Sequence, residues 1–263
     1  VKEIGLSTAC FYPQLNTEDT LDIISNLGIK KIEVFLQTES EYQKKFIYEL
    51  KDKINKLDLE VYSIHASSAL FEPLLFSSYQ REVTDSLKTF EKIFEACNIL
   101  NGKYYVFHGP RLMSFTKDQW DFVIKRTKLL VSLAKEYNIR IAQENVSWCL
   151  SSNLQFLQYL KEKVEGLYFT YDNKQGVKSL LDSKDILKVM AESLVNVHIS
   201  DVNGRDMGIF PGHGSFDFNN LFEELEKINY TGPVIIEVYG KYLPPNIKEE
   251  MEKFKRNVEE KYG

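Results

Sequence analysis

Arg140-Ile141-Ala142-Gln143-Glu144-Asn145 and, one helical pattern later, Leu167-Tyr168-Phe169-Thr170-Tyr171-Asp172-Asn173 decide the architecture of this chain. Each is a short, nearly continuous run of apolar and aromatic residues, as expected of a strand buried on both faces, and each ends on a carboxylate. Working outward, runs of the same kind recur at 4–8, 31–35, 60–65, 104–108, 194–200 and 234–238, which together with 140–144 and 167–172 predicts eight strands. Helical periodicity fills the intervals. Trp120, Val123, Ile124, Thr127, Val131 and Ala134 make one stripe, Leu87, Phe90, Phe94 and Cys97 another, and Ile247, Met251, Phe254 and Val258 a third. Ser40-x-x-Gln43 and Thr116-x-x-Gln119 predict capping boxes. Gly28 and Gly102 predict left-handed residues at helix ends.

Strands alternating with helices, without a linker or low-complexity segment, predict one α/β domain over 1–263, a closed (β/α)8 barrel. An open dinucleotide-binding sheet would show G-x-G-x-x-G after its first strand, where this chain has Ser7-Thr8-Ala9-Cys10-Phe11. The longest connection, 66–78, is rich in Leu and Phe and in a barrel is expected over the mouth. An apolar fraction of 43% excludes a disordered chain, and a net charge of −5 offers no basis for a nucleic-acid or membrane-surface partner. Cys10, Cys97 and Cys149 are few, far apart and odd in number, so free thiols are expected. With neither a signal-peptide pattern nor a membrane-length apolar run, the expectation is a cytoplasmic protein, with oligomerisation left open.

The chemistry collects at one end of the strands. All four histidines fall at or just after a strand end: His65, His108, His198 and His213. Glu144, Asp172 and Glu237 close three further strands. Any one of these residues is more often a packed hydrogen-bonding side chain than a ligand; the joint pattern changes the odds. Six consecutive strands deliver one ligand-type side chain each to the rim where barrel enzymes build their sites. Three carboxylates buried there require a cation, and an oxygen-rich set of Glu144, Asp172, His198 and Glu237 suits Mn2+, Mg2+, Co2+ or Zn2+.

The motifs Gln143-Glu144-Asn145, Tyr171-Asp172-Asn173, His198-Ile199-Ser200-Asp201, Pro211-Gly212-His213-Gly214-Ser215-Phe216-Asp217-Phe218 and Ile236-Glu237-Val238, in this order, resemble those of the xylose-isomerase-like superfamily of TIM barrels. Its members include sugar isomerases, ketose 3-epimerases, inosose isomerases and dehydratases, and nucleases of the endonuclease IV kind. The resemblance spans the full length and implies a single metal at Glu144, Asp172, His198 and Glu237. It also implies that Glu144 and Glu237 move protons through a metal-stabilised enediolate of a small carbohydrate-like substrate. His65 and His108 match positions that hold a second metal in the nuclease branch, so they are candidates for a second ion or for substrate. A zinc phosphodiesterase acting on abasic DNA and a metal-dependent dehydratase are the alternatives. Against the nuclease, Gln175 stands where its third zinc needs a histidine, and 204–210 contains no Asp-x-His.

Arg111, Trp148, Gln175 and His213 are the candidate substrate contacts. Lys174 and Arg205, also beyond strand ends, are solvated cations or anion contacts, and Phe11 either stacks on a sugar or packs in the rim. The loop 211–214 is expected to be a turn leading to an Asp217 N-cap, the alternative being an anion site on its backbone N–H groups.

Overall fold

The computed structural model describes residues 3–262. Eight parallel strands close into a barrel: β1 (Ile4–Ser7), β2 (Lys31–Leu36), β3 (Glu60–Ala66), β4 (Tyr104–Phe107), β5 (Arg140–Glu144), β6 (Tyr168–Asp172), β7 (Leu194–Ile199) and β10 (Val234–Ile236), with β1 joining β2 to β10. The predicted strands all form, with ends shifted by no more than two residues. Around them run α1 (Thr17–Asn26), α2 (Lys44–Lys56), α3 (Gln80–Ile99), α4 (Trp120–Glu136), α5 (Leu154–Lys163), α6 (Asn173–Lys178), α7 (Ser183–Met190), α8 (Phe218–Lys227) and α9 (Ile247–Tyr262). The β6–β7 crossover therefore holds two helices where one is predicted. The stretch after β7, expected as loop, forms an antiparallel hairpin of β8 (Asp201–Asn203) and β9 (Asp206–Ile209).

Alternation along the strands separates two interiors. Ile32, Val34 and Ile64 are fully buried in the apolar core that the helices share. Glu33, between Ile32 and Val34 in the chain, accepts from Ser63 Oγ and meets Asn196 and His198 from β7 across the barrel, a contact open only to inward-pointing side chains. Most of each predicted helix stripe is buried, but Leu87, Val131 and Ile247 stay half-buried, and Leu130 completes the α4 stripe in place of Val131.

Three local expectations need correction. The Thr116 box forms, with Gln119 Oε1 accepting from the Thr116 amide at 3.0 Å, but the Ser40 box does not. Glu41 instead reaches back to the Thr38 amide at 3.3 Å, and Gln43 is the N-cap residue of α2. Gly28 is left-handed at φ 65°, whereas after α3 that conformation belongs to Asn101 at φ 61°. Gly102 is required for space, because a Cβ there would lie 2.8 Å from Cys97 Sγ. The segment 66–78 borders the site only at its start, where Ser67 lines the cavity and Ser68 Oγ lies 2.6 Å from His108 Nδ1; the rest is a wedge in which Phe71, Leu75 and Phe76 are buried, Phe71 against Phe90 and Phe76 against Phe107. Its Glu72 accepts from Tyr105 Oη and from the His108 and Gly109 amides, tying the wedge to the end of β4. Among the described residues no helix is long and apolar enough to cross a membrane.

Candidate metal centre

Glu144 and Asp172 are the last residues of β5 and β6, and His198 lies one residue before the end of β7. Glu237 follows β10, and its amide still donates to Ile199 O at 3.0 Å, which carries the sheet pairing to the ligand itself. One ligand atom from each of the four lies within 4.8 Å of the others, so the structure brings the predicted set together. The asparagines after the first two carboxylates explain how the strand ends are held. Asn145 Nδ2 donates to Asp172 O at 3.0 Å while its Oδ1 accepts from the Asp172 amide at 2.8 Å. Asn173 repeats the pair one strand on, with Ser200. Each amide side chain copies a peptide group and extends the ladder past the point where the backbones diverge.

The donor set fits a divalent ion on an observation independent of residue type. Asp172 Oδ1 accepts from the Gln175 amide at 2.9 Å, leaving Oδ2 buried without a hydrogen bond. His198 Nε2 faces Glu33 at 2.9 Å, leaving Nδ1 buried and unpartnered toward Glu144 and Glu237, 3.6 Å from each. An imidazole fixed by a carboxylate through one nitrogen and presenting the other is the usual arrangement of a metal-binding histidine.

Sequence reasoning overlooked Glu33. Its side chain is fully buried in β2 and accepts from Ser63 Oγ at 2.7 Å, with Asn196 and His198 on the same oxygen and Ser7 on the other. A glutamate inside the run Lys31-Ile32-Glu33-Val34-Phe35 was the available signal. Of the two alternatives for Lys174, solvated cation or anion contact, solvation does not hold: its side chain is 5% exposed, with Nζ 3.3 Å from Asp172 Oδ2 and 3.2 Å from Glu237 Oε2.

These contacts set the charges. Burial raises the carboxyl of Glu237, but Lys174 and His198 outweigh it and bring it down to about 2. Burial likewise opposes ionisation of Glu144, yet His108 and His198 hold it well below the usual range. Asp172 goes the other way, up to about 6, because burial and the charges of Glu144 and Glu237 exceed the pull of Lys174. His198 is held well above its ordinary value, since Glu33, Glu237 and Glu144 overcome burial.

Beside this set lies a second one. His65 Nε2 and His108 Nε2 are 2.8 Å apart, and His108 Nε2 is 2.8 Å from Glu144 Oε2. Atoms of His65, His108 and Glu144 also fall within 4.8 Å of one another. Burial and the neighbouring His108 bring His65 down to about 4, so it is neutral at pH 7. Burial opposes the charging of His108, but Glu144 and Glu72 raise it.

Both sets open into a cavity of about 610 Å3, with Glu144, Lys174 and Glu237 at its floor and Phe35, Gln175 and Tyr239 in its walls. A larger groove of about 880 Å3 between α4, α5 and α7 contains none of these groups. Of the candidate substrate contacts, Gln175 lines the cavity, accepting from Ser147 Oγ at 2.8 Å. Arg111, Trp148 and His213 do not line it. Arg111 is exposed, Trp148 is 41% exposed with its ring edge-on to His108, and His213 pairs with Glu250 on α9 at 2.9 Å. Phe11 belongs to the core, and Arg205 is exposed in the β8–β9 turn. The N–H groups of Gly212, Gly214 and Phe216 all donate to the Asp201 carboxylate at 2.9 Å. They are therefore not offered to an anion, and Asp217 caps α8 as expected.

Residues 21–257 match the family described as xylose isomerase-like TIM barrel. An inosose dehydratase from Clostridium tetani is 23% identical over 284 aligned positions, covering 95% of this chain and 92% of that protein. Among solved structures, a D-tagatose 3-epimerase-like protein superposes with a TM-score of 0.81 at 18% identity, over 99% of this chain and 97% of its own. A 3-keto-D-glucoside 4-epimerase from E. coli gives 0.79 at 19% identity, over 97% and 100%.

Proposed function

The chain belongs to the xylose isomerase-like TIM-barrel family, and on that premise we propose that it is a divalent-metal-dependent isomerase or epimerase of a small sugar or polyol-derived carbonyl compound. The observation that carries this reading is the pair Glu144 and Glu237, two carboxylates at the floor of one cavity within the four-ligand set. A bound divalent ion supplies Lewis acidity to a carbonyl and its neighbouring hydroxyl, making the C–H between them acidic. Asp172 Oδ2, His198 Nδ1 and the two glutamates would hold that ion, and Glu33 fixes the His198 ring.

Both glutamates are carboxylates at neutral pH, so one takes the proton from carbon and the other returns one at the adjacent carbon or on the opposite face. The first outcome is isomerisation and the second epimerisation. His65 and His108 line the same cavity and would hold substrate hydroxyls.

The test is solvent-deuterium exchange into a panel of ketoses and inososes with Mn2+ present. Deuterium should enter at the carbon beside the carbonyl, and Glu144→Gln or Glu237→Gln should suppress it. Absence of exchange across the panel with metal-loaded protein would sink the proposal. A dehydratase is the second reading, favoured by the Clostridium tetani relative, since elimination of water begins with the same proton removal. Release of water from an inosose, without epimeric product, would select it.

A further inference from the structure

Lys174 stands in the first turn of α6, two residues after Asp172, and at that spacing its side chain turns into the ring of carboxylates. Burying an ammonium is costly unless it is paired. Here Nζ is 3.3 Å from Asp172 Oδ2 and donates to Glu237 Oε2 at 3.2 Å, and the ring of Tyr239 lies 5.0 Å away on the cavity side. Asp172 and Glu237 are half of the four-ligand set. A divalent ion would take carboxylate oxygens at roughly 2.0–2.2 Å. The ammonium and the ion therefore address the same side chains of the same two residues.

We propose that Lys174 is a tethered counter-cation of the metal centre: it pairs with Asp172 and Glu237 in the metal-free protein, yields them to a divalent ion, and withdraws along the face of Tyr239 into the substrate cavity. The inference rests on the metal reading given under Proposed function. Two effects follow, of opposite sign. The ammonium stabilises the metal-free protein, because without it the carboxylates of Asp172, Glu144 and Glu237 are buried with one cation fewer. It weakens the metal, because like charges repel strongly at short range in a poorly solvated site. Once the ion is bound, one fixed positive charge faces the substrate oxygens. The exposed Lys178, which donates to Tyr239 Oη at 3.0 Å, shares that wall without touching the carboxylates and serves as the control.

Metal-stripped wild type, Lys174→Met and Lys178→Met would be titrated with Mn2+ calorimetrically and melted with and without the ion. Lys174→Met should bind Mn2+ at least about tenfold tighter and melt lower without metal, so that Mn2+ raises its melting temperature by more than in wild type. Lys178→Met should match wild type in both. If the methionine variant does not fold, Lys174→Gln, which removes the charge and keeps a polar end, should show the same tightening. Equal or weaker Mn2+ binding by a folded Lys174 variant overturns this inference alone. Failure of wild type and variant alike to bind Mn2+, or any divalent ion in its place, overturns the metal reading and this inference with it.

Discussion

The two halves of the cavity floor are built on the same plan and carry opposite chemistry. On the β5, β6, β7 and β10 side, strand ends present Glu144, Asp172, His198 and Glu237, and the half is charged, with Lys174 inside it. On the β3 and β4 side they present His65 and His108, and His65 is neutral. Glu144 belongs to both halves, touching His108 at 2.8 Å and His198 at 3.6 Å. Strand ends thus deliver an oxygen-rich ring on one side and an imidazole pair on the other. The difference is one of residue type, and each half keeps one partly exposed member, Glu237 in the first and His108 in the second.

The largest expected effect falls on the charged half. Glu144→Gln and Glu237→Gln should each lower the rate of deuterium exchange by about 100-fold to 10,000-fold, while His65→Gln, on the other half, should lower it by less. A comparable loss in His65→Gln would erase the functional distinction between the halves. Next comes the support beneath the charged half. Glu33→Ala leaves His198, Asn196 and Ser63 without their shared acceptor and should destabilise the protein by about 3–5 kcal/mol, the usual cost of breaking a buried charged pair. Denaturant unfolding measures it, and a cost below about 1 kcal/mol would show that the cluster rearranges freely.

The histidine half should announce itself in the pH dependence through His65. His65 titrates at about 4 when folded, against an ordinary value of 6.5. Its neutral form therefore contributes stability above pH 6.5 that is lost as pH falls through 6.5 to below 4, in total on the order of 3 kcal/mol. Unfolding free energies at pH 7 and pH 4 should accordingly differ less in His65→Gln than in wild type, and an unchanged difference would place the acid-sensitive group elsewhere. Asn145→Ala removes two hydrogen bonds at the end of β6 and should cost about 1–3 kcal/mol, with weaker Mn2+ binding as Asp172 loosens. Smallest of all, Arg111→Ala should change stability by no more than about 0.5 kcal/mol and leave Mn2+ affinity and exchange at the wild-type level. Any marked loss there would put the substrate beyond the cavity described.

Much of this was legible in the chain. Glu144, Asp172, His198 and Glu237 could be placed because each sits at a strand end, and barrel closure brings strand ends together whatever the helices outside do. Glu33 escaped because it lies in the middle of its strand; whether a mid-strand side chain faces the barrel axis depends on a register that the chain does not state. Lys174 escaped for a related reason. Its helix begins directly on Asp172, so one turn of backbone decides between solvent and the carboxylate ring. Arg111, Trp148 and His213 were chosen for following strand ends, but loops diverge after the strand, and Glu250 on α9 claims His213. The glycine loop 211–214 was read as a turn, and the Asp201 carboxylate now shows what fills it.

By itself, then, the sequence determined the alternation of strand and helix, the closed barrel and the residue types delivered to one rim. These follow from periodicity and from the energetic need to pair buried carboxylates. Only the tertiary structure decided which atoms of those residues lack a hydrogen bond. Asp172 Oδ2 and His198 Nδ1 lack one because Gln175 and Glu33 claim the other atom of each side chain, and Oδ2 is left to the ion pair with Lys174. It alone also placed an ammonium among the carboxylates, since that depends on β6, α6 and β10 meeting within a few ångströms, and no local pattern encodes a meeting between residues more than sixty positions apart.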